Sequence, residues 1–135
     1  DYPEKDAKAA IQLQQIFYRM TKYFIENFNT ANFLTEALFH SKAASYFTNY
    51  RVQHFIFVRT LIEQAQREGD ICSDMNSYEI YTTLQSILIQ PIIIKNNILQ
   101  QHKNEPLMDK LKLIDVSSES SLQKRLRVAF KGLRP

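Results

Sequence analysis

Residues 67–80 read REGDICSDMNSYEI, and this stretch divides the chain. It holds Gly69, one of only two glycines, and the single cysteine, Cys72, between two strongly apolar segments. Glycine enters the left-handed backbone region without a steric penalty, so Gly69 directly after a long helical pattern predicts a helix C-cap. Asn76 and Glu79 then stand three residues apart, the spacing of a capping box, and predict the start of the next helix. The stretch is a stop followed by a start.

Working outward, helical periodicity marks five segments. The first, about residues 6 to 28, places Leu13, Phe17, Met20, Phe24 and Phe28 on one stripe, flanked by Ile16 and Tyr23. A short second helix follows in TANFLTEALF, residues 30–39, where Thr30 has the chemistry of an N-cap. The third, about 43 to 68, aligns Phe47, Val58, Leu61, Ile62 and Ala65 and ends at Gly69. The fourth runs from the capping box to about Gln101 with Pro91 in its interior, so a kink is expected. The fifth, about 118 to 131, opens in the serine-rich SSESS and is expected to close on a left-handed Gly132. Strand-like alternation competes with none of them, and the fold class is all-α, a bundle of about five helices.

The fourth segment is apolar on two sides. On an unbroken wheel Leu84, Ile87, Leu88, Ile92, Ile94, Ile98 and Leu99 fill a stripe roughly 160° wide, with Ile89 and Ile93 nearly opposite. A large aliphatic side chain left in water forgoes roughly 1.5–3 kcal/mol of burial, so a second partner for this helix is expected. The fifth segment is amphipathic, with Leu122, Leu126, Ala129, Phe130 and Leu133 on one face and Lys124, Arg127 and Lys131 on the other.

At 135 residues the chain suffices for one domain with a core of its own. Its net charge of +3 is uneven: residues 101–135 carry eight Lys/Arg against four Asp/Glu, and residues 1–100 nine against ten. Basic tails attract nucleic acid or acidic membrane, but the wet face of the fifth helix accounts for this one. The N-terminal DYPEKDAKAA is polar and charged, unlike a signal peptide, and no apolar run reaches the ~20 residues of a membrane span. A lone cysteine suits a reducing cytosol, so a cytoplasmic protein is expected, and the absence of an initiating Met reads as a processed chain or a fragment.

Enzyme chemistry is not expected. His40, His54 and His102 stand far apart, no His/Cys/carboxylate cluster has metal spacing, and two glycines cannot build a phosphate loop. Neither metal nor cofactor is expected. Cys72 lies beside Asp70 and Asp74, whose charge disfavours a reactive thiolate, leaving redox sensing as its one chemical role. More informative are Arg51 and His54, polar groups on the same stripe as Phe47 and Val58. A buried polar group needs a partner or a purpose: either Arg51 snorkels out and His54 bonds a backbone carbonyl, or both contact a ligand.

The stretch LIEQAQREGDICSDMNSYEIYTTLQSIL, residues 61–88, resembles the junction between the seventh and eighth helices of TetR-family transcriptional regulators. The ending LRVAFKGLRP, residues 126–135, resembles the family's terminal helix, and the order and lengths of the helices agree across nearly all of the chain. The family's N-terminal helix-turn-helix region has no counterpart here. The resemblance thus implies a C-terminal regulatory domain, with DNA reached only through an N-terminal domain outside this sequence. It implies a homodimer through a four-helix bundle of the last two long helices, with Ile89, Ile93, Leu122, Leu126, Ala129 and Phe130 at the interface. It also implies a small-molecule effector, apolar or aromatic, in a cavity bordered by Phe17, Met20, Phe24, Arg51, His54 and Phe55. The rival expectation is a helical interaction module without a ligand, whose apolar faces serve protein partners alone.

Overall fold

A computed structural model describes residues 4–27, 41–102 and 105–135, and between 41 and 51 the backbone alone. The described chain is all-helical: α1 (Ala9–Glu26), α2 (Ser41–Arg67), α3 (Ser77–Leu88), α4 (Gln90–Gln101), α5 (Leu107–Lys112) and α6 (Glu119–Gly132). The segment expected as a helix at 30–39 lies outside the described residues.

The 67–80 stretch folds as its residues require. Gly69 sits at φ +80, and α2 closes in a Schellman motif. In it, Asp70 N donates to Ala65 O at 3.0 Å and Gly69 N to Gln66 O at 3.1 Å. Gln66 Nε2 then donates to the Cys72 and Met75 carbonyls, at 3.0 and 2.8 Å, and holds the turn against the end of α2. Ile71 drops into the core, and Cys72 N donates to Leu133 O at 2.7 Å, so the turn also stitches the end of α6. The capping box forms in both directions: Glu79 N donates to Asn76 Oδ1 at 2.8 Å and Asn76 N to Glu79 Oε1 at 3.1 Å. At α6, Ser118 is the N-cap, its Oγ accepting from Ser121 N at 3.1 Å.

Helix α3 is central and packs against α1, α2, α4 and α6, while α1 also packs on α2 and α6. The core between them holds Leu13 and Phe17 from α1, Val58, Ile62 and Ala65 from α2, Ile80, Leu84 and Leu88 from α3, and Leu122 from α6, all fully buried. Each such large side chain stabilises the fold by roughly 1.5–3 kcal/mol.

Three expectations are corrected. Gly132 is not a left-handed cap: α6 runs through it and caps at Leu133 with φ -89, because Leu133 N can still turn back to Phe130 O. The fourth segment is not one kinked helix but two, α3 and α4, sharing Ile89 as cap. Pro91 has no N–H for the carbonyl four residues back, and Ile92 N and Ile93 N both turn to Ile89 O, at 3.0 and 3.2 Å. The ladder is therefore interrupted there and the helical phase resets.

Beyond the break the expected wheel holds only in part: Ile92 is buried as expected, and others differ. Ile89 is only 5% exposed and Ile93 packs against the core, while Ile94 and Ile98, expected to point inward, are 50% and 37% exposed. Leu122, Leu126, Ala129 and Phe130 are likewise buried in this chain's own core. Of the residues expected at a dimer interface, all but the half-buried Ile93 also contribute to this chain's own core. Among the described residues, no helix is long and apolar enough to cross a membrane.

Candidate functional site

Three helices bring a histidine and several aromatic rings together. Periodicity on α2 turns His54 toward the core side, and α3 presents Tyr81 from the buried stripe it shares with Leu84 and Leu88. His54 Nδ1 meets Tyr81 Oη at 2.7 Å, and Gln85 Nε2 donates to the same hydroxyl at 3.0 Å. From α1, Phe17 sets its ring edge-on against both, with centroids 6.4 Å from His54 and 6.2 Å from Tyr81. Phe55 stands edge-on to Tyr81 at 5.3 Å and to Tyr78 at 5.7 Å. Such edge-to-face pairs contribute about 0.5–1.5 kcal/mol each beyond area burial, and they hold the rings in fixed orientations.

Burial pushes the His54 imidazole below the usual histidine range. The neutral ring fits the geometry: Tyr81 donates its hydroxyl proton to Nδ1, accepts from Gln85, and leaves the imidazole proton on Nε2. His54 therefore has a side-chain partner, Tyr81, where a backbone carbonyl was the simplest expectation. The cluster is a weakly basic group and a phenol in an apolar setting.

Of the expected effector residues, Phe17, His54 and Phe55 are brought together here. Met20 and Phe24 lie half-buried on the same stripe of α1, packed against the core, and Phe24 meets Tyr23 edge-on at 6.1 Å. Arg51 stands one turn before His54 on α2, and its side chain lies outside the described residues. Tyr81, Gln85 and Tyr78 were not anticipated. The available signal was Tyr81 itself, a hydroxyl on a core stripe of α3 that needs a partner when buried.

Two clefts are described elsewhere. One of about 370 Å3 lies between α1 and α6, lined by Gln14, Gln15, Tyr18, Arg19 and Gln123. Beside it Tyr18 Oη donates to Glu119 Oε1 at 2.8 Å, and Lys22 Nζ stands 3.4 Å from Glu119 Oε2. The other, about 580 Å3, opens where the Gly69 turn meets the start of α1 and the end of α6, lined by Lys8, Ile11, Asp70, Phe130 and Arg134. Neither is bordered by the six residues expected around an effector.

Burial first, and the Asp74 carboxylate second, hold the Cys72 thiol above its usual range, which keeps it protonated and unreactive near neutral pH. Among the described residues, no three His, Cys, Asp or Glu side chains are grouped to hold a metal ion.

The fold and this cluster define an all-α bundle with a half-buried histidine–tyrosine pair at a three-helix seam. Comparison with family models, curated proteins and solved structures finds no match to this chain.

Proposed function

We propose that the chain is the effector-sensing domain of a one-component transcriptional regulator of the TetR-like kind. In this reading a small apolar or aromatic molecule binds at the seam of α1, α2 and α3. The observation that carries the reading is the His54–Tyr81–Gln85 hydrogen-bonded set, enclosed by Phe17 and Phe55. A core selected only for stability gains more from well-packed aliphatic residues than from a half-buried imidazole and phenol. A binding seam needs those polar atoms to orient a guest. DNA contact belongs to an N-terminal domain outside this sequence. In this reading two copies associate through the last two long helices, whose exposed Ile94, Ile98 and Val128 offer apolar surface to a second chain.

The test is a titration of the isotopically labelled chain with phenol, benzoate and 2-naphthol, followed by NMR. Saturable shifts centred on Phe17, His54 and Tyr81, weakened by Tyr81→Phe, are expected. Shifts absent with all three probes would count against the sensor reading.

A second reading has an observation of its own. Val52, Ile56 and Phe57 on α2 are 48%, 55% and 60% exposed, an apolar strip of the kind that serves a protein partner. Probe shifts confined to that strip would favour the interaction module.

A further inference from the structure

Helices α4 and α5 are attached to the bundle differently from the other four. The buried residues of the main core come from α1, α2, α3, α6 and the turns beside them; α4 touches that core through the half-buried Ile93, and neither Ile92 nor Met108 belongs to it. Those two are the buried residues of α4 and α5, nearly inaccessible yet apart from the main core. α5 packs on α4, and α4 on α3 and α5. Such a satellite unit has fewer buried contacts to lose and opens at lower free energy than the core.

Its two ends are joints. At residues 89–91 the backbone ladder is interrupted, because Ile92 N turns to Ile89 O and leaves the Leu88 carbonyl without its intrahelical donor. At residues 113–118 the chain turns around Asp115, whose Oδ1 accepts from Ser117 N and Ser118 N at 3.0 and 2.9 Å. Lys95 on α4 donates to the Ile114 carbonyl at this second joint.

The first joint is occupied by a side chain from α6. Arg125 Nη2 donates to the orphaned Leu88 carbonyl at 3.2 Å, and its Nη1 donates to Ser121 Oγ at 2.7 Å. Arg125 Nε is buried with no hydrogen-bond partner, and Asp115 acts on the guanidinium only through space. Placing a half-buried cation here, without an ion pair of its own, opposes folding unless the interaction it makes offsets the desolvation. The carbonyl exposed by the helix break is that interaction.

We propose that α4 and α5 form a hinged arm, turning about residues 89–91 and 113–118, and that Arg125 is the latch that holds the first joint. The latch acts on a carbonyl that exists as a free acceptor only because Pro91 breaks the helix. Replacing Pro91 with alanine restores an amide there and lets Ile92 N return to Leu88 O. The latch then has nothing to hold.

Hydrogen exchange read by mass spectrometry on the full chain tests this in four proteins: wild type, Arg125→Met, Pro91→Ala and the double variant. Methionine keeps an apolar stem and removes the donors. In Arg125→Met, exchange in α4 and α5 should rise roughly ten- to hundredfold, the effect of one charge-assisted hydrogen bond, while amides of α1 and α2 stay protected. In the Pro91→Ala background the same substitution should change α4 only a few-fold. An equal rise in all helices, no rise in α4, or an Arg125→Met effect undiminished by Pro91→Ala would each overturn the latch.

Discussion

His54 is where one residue's chemistry reaches the stability of the whole chain. Its imidazole is half-buried between Phe17 and Tyr81, and burial holds it below the ordinary histidine value of 6.5. The unfolded chain leaves the ring in water and takes up a proton at that ordinary value. As pH falls through 6.5, the unfolded state therefore binds a proton that the folded state still refuses, and stability declines. Above 6.5 both states are neutral at this ring and the contribution is fully present. The urea midpoint should accordingly drop between about pH 7.5 and about pH 5.5, and His54→Gln should flatten that dependence. A slope unchanged by His54→Gln would mean that the ring is not sheltered as described.

At the scale of the element, the two glycines separate what a helix end requires from what merely follows a helix. Gly69 has φ +80 and open space where a Cβ would stand, so substitution there meets backbone strain without a clash. Gly69→Ala should destabilise by about 1–2 kcal/mol, the penalty for a left-handed alanine. Gly132 lies in α6 with equally open space and no positive φ, so Gly132→Ala should stabilise by about 0.4–1 kcal/mol. Chemical denaturation of the two variants checks both signs, and equal signs would contradict the end geometries. The stop at Gly69 and the start at Asn76 were legible because each depends on residues a few positions apart. The same locality made the amphipathic face of α6 readable. The orientation of α4 was not, since a helical wheel carries its phase through Pro91 and the chain does not. Tyr81 was missed for a related reason: its partner His54 lies 27 residues away, and no local spacing encodes a contact between two helices. Phe17 could be chosen from its stripe, whereas the hydroxyl it packs against could not.

Over the whole molecule, the charge distribution sets what the chain can do with nucleic acid. The excess of positive charge lies in residues 101–135, and Lys124, Arg127 and Lys131 are exposed along the outer face of α6. Sequence-specific readout needs donors and acceptors carried to base edges by an element docked in a groove. The one amide among these cations, Gln123, already donates to Glu119 Oε1 at 3.0 Å, and the exposed Val128 separates Arg127 from the next turn. What remains is attraction to phosphate. Neutralising about three phosphates gives a slope of roughly −3 in log affinity against log salt, so binding visible in dilute buffer fades near physiological ionic strength. A gel-shift titration of residues 1–135 against unrelated duplexes should therefore show weak retardation, the same for every sequence and lost as salt rises. Lys124→Gln with Lys131→Gln should remove most of it without changing the fold, because both side chains end in water. Retardation selective for one duplex at physiological salt would place DNA recognition inside this chain and overturn the proposal that it is the sensing half of a regulator.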